Sequence, residues 1–207
     1  MSTLILWRHG TTEWNAEHRV QGHTDAALGA LGHAQATQAA RALAARRPSR
    51  LVTSDLRRAA DTAHPLAELT GLAAEPDPRL RERCYGEWEG LTMTEIAERF
   101  PQAHARQRAG RHDLGHGIEP PGDVMKRVGE ALREAAAANP DGTTVVVTHG
   151  GAARYGMFEL LGWPIELLGT VVTLANCHYA ELRLDPHRGW NLYGHNLGRS
   201  GGSPGYE

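Results

Sequence analysis

Cysteine, lysine and long apolar runs are all scarce in this sequence of 207 residues. The two cysteines, Cys84 and Cys177, are too few for a disulfide framework and do not form a zinc-type cluster. No apolar run approaches the roughly 18 residues that a membrane span needs. The first apolar run stops at Arg8, too early for a signal peptide. These absences predict a soluble, cytoplasmic protein without a membrane partner.

Neither sign of charge dominates the chain. The sequence has 22 Lys+Arg against 24 Asp+Glu, a net charge of −2, so no basic excess predicts binding to nucleic acid. Lys126 is the only lysine, and 21 of the 22 basic residues are therefore arginine. That bias is typical of a GC-rich coding genome. An arginine therefore counts as a phosphate ligand only where its context supports the role.

The apolar pattern alternates between strands and helices. Short buried runs predict strands at 4–7, 51–53, 143–148, 171–175, 179–184 and 190–193. Helical spacing and capping residues predict helices at 28–46, from an N-cap at Ser54-Asp55 to Leu69, at 94–100, at 124–138, and after His149 to Leu161. This alternation predicts an α/β layered fold with a mostly parallel sheet.

Two segments lack apolar periodicity. Residues 101–122 are rich in arginine, histidine and proline, and are predicted to form a surface loop or small lid. Residues 199–207 are mostly glycine and polar residues that bury little, which predicts a flexible tail. The remainder is predicted to be a single domain, 1–198, with the short lid inserted at about 100–122.

Three predicted strands end in residues suited to binding phosphate. These are Arg8-His9-Gly10, the run from Ser54 to Arg58, and His149-Gly150-Gly151. Because ligands of open parallel sheets lie beyond the carboxyl ends of the strands, the three ends are expected to meet. Arginine presents a planar fork of donors to phosphoryl oxygens, and a neutral imidazole can attack phosphorus. Helices expected to begin at Thr11 and Gly150 would add backbone N–H groups.

Four motifs in order resemble the histidine phosphatase superfamily, in the branch that includes cofactor-dependent phosphoglycerate mutases and many small phosphatases. The resemblance extends from Leu4 to about Asn176. The motifs are Arg8-His9-Gly10 with Thr12, Trp14 and Asn15; Thr53 to Ala59 with Thr62; Leu80-Arg81-Glu82 with Gly86 to Gly90; and Val147 to Gly151. The resemblance implies a three-layer α/β/α sandwich with a mostly parallel central sheet. It also implies phosphoryl transfer at a histidine, with no metal, and a phosphatase of this type is expected to need no cofactor.

The resemblance further implies roles for single residues. His9 would be the nucleophile that becomes phosphohistidine, and Glu82 would protonate the leaving group and then activate water. Arg8, Arg58 and His149 would hold the phosphoryl oxygens. The implied substrate-binding set also includes Gly10, Asn15, Gln21, Gly22 and Gly150. The implied partner is a small phosphomonoester, such as a sugar phosphate, a phosphoglycerate derivative or a nucleotide-like phosphate.

Other residues near the motifs are weaker candidates. Arg57 lies one residue off its motif and is expected to face solvent. Rim or structural charges are expected at Arg81, Arg83, Glu87 and Glu89. Three aromatic residues either wall the pocket or pack in a core: Trp14, Tyr85 and Trp88. His112 and His116 have the i, i+4 spacing of a metal pair, but the neighbouring glycines argue against a helix there and no third ligand is evident.

The short 100–122 region bears on the type of reaction. Phosphoglycerate mutases of this family carry a longer insertion with paired arginines and a Pro-Gly-Gly-Glu-Ser stretch. Here Gln107 separates Arg106 from Arg108, and the stretch is replaced by Pro120-Pro121-Gly122-Asp123. A shorter lid admits water, which favours hydrolysis. We therefore predict a phosphatase, with a 2,3-bisphosphoglycerate-dependent phosphoglycerate mutase as the alternative.

Three questions stay open at this level. An extra anionic group of the substrate has weak candidate ligands in Arg106, Arg108 and Arg111. A binding domain without turnover is disfavoured because His9 and Glu82 are both present, together with the motif histidine of the last strand end. Oligomeric state is undetermined, although the resemblance is compatible with a homodimer.

Overall fold

A computed structural model describes residues 1–198 of the chain, and the predicted tail at 199–207 lies outside the described residues. Within that range six strands form one sheet: β1 (Thr3–Arg8), β2 (Arg50–Thr53), β3 (Ala74–Pro76), β4 (Thr143–Thr148), β5 (Tyr179–Asp185) and β6 (Gly189–Leu197). Their order is β3-β2-β4-β1-β5-β6. The first four in that order are parallel, and β5 is antiparallel to both β1 and β6. The mostly parallel sheet is confirmed.

Helices cover both faces of this sheet. In residues 1–198 they are α1 (Glu13–Ala16), α2 (Ala30–Ala44), α3 (Arg57–Thr70), α4 (Met93–Arg99), α5 (Pro101–Arg108), α6 (Pro121–Ala137) and α7 (Gly150–Leu161). Successive side chains of a strand point to opposite faces. Leu4 and Leu6 of β1 accordingly pack against α6 and α7, whereas Ile5 and Trp7 pack against α2 and α3. The result is the predicted three-layer α/β/α sandwich.

The central strands are apolar because they are covered on both sides. Val145, Val146 and Val147 of β4 have no solvent-exposed surface. Burying each such side chain contributes about 1.5–3 kcal/mol to folding. This burial fixes the position of β4 between β1 and β2, and the strand ends that carry the candidate site are fixed with it.

A separate small core lies under the segment that follows Glu82. Trp88, Ile96, Ala103 and Leu114 pack together there, away from the two cores of the sheet. Ala103 belongs to α5, so residues 101–108 are helical and the prediction of a loop is wrong for them. The new helix begins at Pro101, because proline cannot continue α4 but is well suited to the first turn of a helix.

The predicted strand at 171–175 is also wrong. The backbone of this segment bonds to side chains instead of to a neighbouring strand. The carbonyls of Val171 and Leu174 accept hydrogen bonds from Arg154 and Arg8, and the Ala175 N–H donates to an asparagine side chain. A short apolar run has the length and composition of a strand, but it forms one only where a neighbouring strand can accept and donate its backbone hydrogen bonds.

Several helix starts differ from the prediction, and one strand was missed. α2 begins at Ala30 instead of 28, and α6 begins at Pro121 instead of 124, so the end of the predicted loop is helical as well. The helix expected at Ser54-Asp55 begins at Arg57, with Leu56 as its N-cap. The helix expected at Thr11 begins at Glu13, capped by Thr12, because the Thr11 N–H donates to a glutamine side chain. The missed strand, β3, has only three residues, too few to show a period.

Candidate active site

The three strand ends meet at one edge of the sheet, as expected. β2, β4 and β1 are neighbours and run parallel, so the residues that follow them lie side by side. The rings of His9 and His149, which follow β1 and β4, have their centroids 5.2 Å apart. Arg58, at the start of α3 after β2, donates from Nε to Nδ1 of His149 over 3.2 Å. One compact cluster therefore unites residues 140 positions apart in the sequence.

His9 is held as a neutral imidazole with a defined proton position. Its Nδ1 lies 2.8 Å from the carbonyl oxygen of Gly10, which can only accept, so Nδ1 carries the proton. Nε2 is therefore the unprotonated nitrogen of this ring. Burial, with Arg58 and Arg8 nearby, holds the pKa of His9 well below its ordinary value. A nucleophilic nitrogen thus lies at the centre of the cluster.

Arg58 is fully buried, and its guanidinium is fixed by backbone. Nη2 and Nη1 donate to the carbonyls of Gly22 and Thr24 over 2.7 and 2.8 Å. Burial lowers the pKa of Arg58 to about 10, so the side chain remains positively charged at neutral pH. These bonds offset the cost of burying the cation, and Arg58 and Arg8 together are placed to bind an anion.

His149 lies behind His9. Because Nδ1 accepts from Arg58, the proton is on Nε2, which donates to the Ser54 hydroxyl over 2.9 Å. Burial first, and then the charge of Arg58, hold the pKa of His149 well below its ordinary value. Both ring nitrogens are thus engaged by protein groups in this structure.

Glu82 sits at the N-terminus of α7. Its Oε2 accepts from the N–H of Gly151 over 2.8 Å, and its Oε1 accepts from the N–H groups of Ala152 and Arg83 over 2.9 and 2.7 Å. Since Oε2 accepts one bond and Oε1 two, Oε2 has more remaining capacity to carry a proton. Gly151 allows this approach, because a Cβ there would lie 2.5 Å from Oε1.

The backbone of Glu82 is clamped from behind by Arg127 of α6. Nη2 of Arg127 donates to the Glu82 carbonyl over 2.8 Å, and Nη1 donates to the carbonyls of Arg79 and Arg81 over 2.7 Å each. Glu119 binds the same guanidinium at 2.7 and 2.9 Å. No local sequence pattern predicts this clamp, since α6 lies about 45 residues beyond the segment that it holds.

Glu89 fixes the loop at 22–24, whose carbonyls bind Arg58. Its carboxylate accepts from the N–H groups of His23, Thr24 and Tyr85, and from the Thr24 hydroxyl. Although burial opposes the charge, these donors hold the pKa of Glu89 below its ordinary value. The predicted structural role of Glu89 agrees with these contacts.

A cavity of about 200 Å³ opens over His9 and Glu82. The predicted site residues that line it are Arg8, His9, Gln21, Gly22, Arg58 and Glu82. The four others, Gly10, Asn15, His149 and Gly150, are not on its wall. Asn15 forms a capping box with Thr12 at the start of α1. Of the three aromatic candidates, Tyr85 and Trp88 line the cavity.

The sequence matches a known family of enzymes. Over residues 4–197 the sequence matches the histidine phosphatase superfamily (branch 1). The chain belongs to this superfamily.

Relatives of this histidine phosphatase share both sequence and fold. Glucosyl-3-phosphoglycerate phosphatase of Mycolicibacterium vanbaalenii is 37% identical over 186 residues, which cover 86% of this chain and 83% of the relative. A metal-independent phosphoserine phosphatase of Arabidopsis thaliana is 35% identical over 158 residues, covering 74% and 66%. A mycobacterial glucosyl-3-phosphoglycerate phosphatase solved with VO3 superposes with a TM-score of 0.88 at 36% identity, covering 96% of this chain and 100% of that one. The protein is a phosphoric monoester hydrolase.

Sequence reasoning missed much of the cavity wall of this histidine phosphatase. The unpredicted lining residues are His18, Arg19, Val20, Met93, Gln107, Gly151, Arg154 and Thr173. For Arg154 a signal existed, since it lies four residues after Gly150 and therefore on the same face of the helix. The arginines suggested for an extra anionic group, Arg106, Arg108 and Arg111, are exposed, and Gln107 faces the cavity in their place.

The described residues show no metal cluster and no membrane helix. In residues 1–198 no group of three or more His, Cys, Asp or Glu side chains is placed to hold a metal ion. His116 stacks on Phe100 with ring centroids 4.6 Å apart, and its Nδ1 lies 3.3 Å from Glu87. No helix in the same range combines the length and the hydropathy that crossing a membrane requires.

Proposed function

We propose that this histidine phosphatase hydrolyses a small phosphomonoester through a phosphohistidine on His9, without a metal, and that Glu82 supplies and removes the proton. The hydrogen bond from His9 Nδ1 to the Gly10 carbonyl carries the proposal. It leaves Nε2 as the one unprotonated nitrogen of a ring that lies beside two guanidinium groups, Arg8 and Arg58.

In the first step Nε2 of His9 attacks phosphorus, and the bond between phosphorus and the ester oxygen breaks. The leaving alkoxide takes a proton from the Glu82 carboxyl group, which becomes a carboxylate. The phosphorylated ring bears a positive charge, and its Nδ1–H remains bonded to the Gly10 carbonyl. Arg8 and Arg58 offset the charge on the phosphoryl oxygens during the transfer.

In the second step water attacks the phosphohistidine. The Glu82 carboxylate takes a proton from that water, the bond between phosphorus and Nε2 breaks, and inorganic phosphate leaves. Glu82 is then protonated and His9 neutral, so both groups are ready for the next ester. His149 positions Arg58 in this scheme through their shared hydrogen bond, and Ser54 orients His149.

The comparisons support a substrate of small size. Glucosyl-3-phosphoglycerate and phosphoserine, named for two relatives, are both small phosphate esters. A cavity of about 200 Å³ over His9 and Glu82 is consistent with a ligand of small size. A relative solved with VO3, an oxyanion resembling phosphate, supports an oxyanion site in the fold.

The proposal is tested by trapping the intermediate in the presence of a chelator. Wild-type protein quenched during turnover of 3-phosphoglycerate should contain phosphate that is labile to acid and stable to base, attached to the peptide that contains His9. His9→Ala should show neither the label nor turnover. Full activity of His9→Ala, or loss of wild-type activity in the chelator, would overturn the proposal. Formation of 2-phosphoglycerate without release of phosphate would establish the mutase instead.

The role of Glu82 has its own test. Glu82→Gln cannot donate a proton to the leaving group, so turnover of alkyl esters should fall by about 10²–10⁴-fold. Aryl phosphates have leaving groups that need little protonation, and their first step should be much less affected. A burst of nitrophenol from p-nitrophenyl phosphate measures that step directly. Equal losses on both classes of ester would remove Glu82 from the acid role.

A further inference from the structure

One cation of the cavity has no function in the phosphoryl chemistry. Arg154 lies on α7 and lines the same cavity as Glu82 and Thr173. Its Nη1 donates to the Val171 carbonyl over 3.1 Å, and its Nε is buried without a hydrogen-bond partner in the described part of the chain. No carboxylate of residues 1–198 forms an ion pair with this guanidinium, in contrast to Arg19 across the cavity.

The third nitrogen of Arg154 is accessible. Nη2 makes no hydrogen bond to any described residue, and it is not among the buried side-chain atoms that lack a partner. Its N–H groups are therefore open to the cavity, while the Val171 carbonyl fixes the other end of the guanidinium. A donor that is held in place and left open in this way is suited to bind a group of the substrate.

The other cations near the cavity are engaged elsewhere. Arg19 binds Glu17 at 2.8 Å and Glu95 at 3.0 Å, so its charge is neutralised by two carboxylates. Arg8 and Arg58 are placed beside the nucleophile. His18 is an exposed residue at the rim. Arg154 is thus the cation best placed for a second negative group.

The turn of α7 that carries Arg154 has a second cation beside it. Arg83, buried and within 3.5 Å of the Tyr155 hydroxyl, adds positive charge beside the same turn of α7.

We propose that Arg154 binds a carboxylate of the substrate, so that the enzyme selects phosphomonoesters that also carry a carboxylate. This inference rests on the proposed function. A single guanidinium with one accessible nitrogen suits a group of one negative charge. A second phosphoryl group, with nearly two charges at neutral pH, would call for a further cation on the wall of the cavity, and Arg83 does not line it.

The test compares two esters that differ at one end. 3-Phosphoglycerate has a carboxylate where glycerol 3-phosphate has a hydroxymethyl group. A hydrogen bond to a charged group predicts a ratio of kcat/KM values of at least about tenfold in favour of 3-phosphoglycerate. Arg154→Gln should bring the ratio close to one, and Arg154→Lys should restore part of it. The matched control is Arg106→Gln, which removes an exposed charge outside the cavity and should leave the ratio unchanged.

Several results would overturn the assignment. A wild-type ratio near one, an unchanged ratio in Arg154→Gln, or an equal fall in Arg106→Gln would each do so, the last because it would indicate a general effect of charge. A preference for fructose 1,6-bisphosphate over fructose 6-phosphate that depends on Arg154 would assign the residue to a second phosphate. If no ester is hydrolysed, the proposed function fails; titration calorimetry of the two esters with wild type and Arg154→Gln then decides the role of Arg154 by itself.

Discussion

Replacing Arg127 by methionine tests whether the acid-bearing segment is held in place from α6. Methionine keeps much of the apolar stem and removes the guanidinium. The substitution therefore deletes the donors to the carbonyls of Arg79, Arg81 and Glu82, and leaves the Glu119 carboxylate without its cation.

The expected loss of stability follows from the burial of this ion pair. The side chains of Arg127 and Glu119 are only 19% and 16% exposed. Removing one partner of a buried pair costs about 3–5 kcal/mol, because the remaining charge is stranded. Since some solvent reaches this pair, we expect about 3 kcal/mol for Arg127→Met. The double variant with Glu119→Gln should recover part of that loss, because no charge is left unpaired.

Urea unfolding of the wild type, the two single variants and the double variant measures these terms. The cycle gives a coupling energy, which we expect to exceed about 1 kcal/mol for groups in direct contact. A coupling energy near zero, or a loss below about 1 kcal/mol for Arg127→Met, would refute the proposed clamp.

A purely structural role would leave the dependence on the leaving group unchanged. If Arg127 positions Glu82, the folded Arg127→Met variant should lose more activity on alkyl esters than on aryl phosphates. The same measurement on Arg133→Met, an exposed arginine of α6 paired with Glu159, should show no such difference. Equal losses on both classes of ester would assign Arg127 to stability alone.

Two further outcomes are expected. Gly151→Ala should change the free energy of unfolding by less than about 1 kcal/mol, because this glycine lies within a helix. The new Cβ would displace the Glu82 carboxylate, so kcat on alkyl esters should fall. The control is Gly122→Ala, which has open space at its Cβ and should leave kcat unchanged. Folding lowers the pKa values of His9 and His149, so below about pH 6.5 the unfolded chain binds protons before the folded protein does. As the pH decreases below that value, the free energy of unfolding should decrease by up to about 1.4 kcal/mol per pH unit for each histidine. Urea unfolding between about pH 7 and 5 should give a shallower slope for His9→Asn, and an equal slope would contradict the buried neutral state.

The location of the site was predictable because it depends on local sequence and on sheet topology. Apolar runs of strand length ended at His9 and His149, and parallel strands bring such ends to the same edge. The α/β layering and the mostly parallel sheet followed from the alternation of strands and helices, although one predicted strand is absent and β3 was missed. These features depend only on the periodicity of apolar residues along the chain and on the direction of the strands.

Only the tertiary structure showed what surrounds these residues. The proton positions of His9 and His149 depend on which protein atom faces each ring nitrogen. The helix at 101–108 forms over a small core with Trp88, Ile96 and Leu114, and the run at 171–175 bonds to arginine side chains instead of a strand. The grip of Arg127 on the Glu82 segment joins residues 45 positions apart. Such contacts are set by packing in three dimensions, so no local pattern in the sequence encodes them.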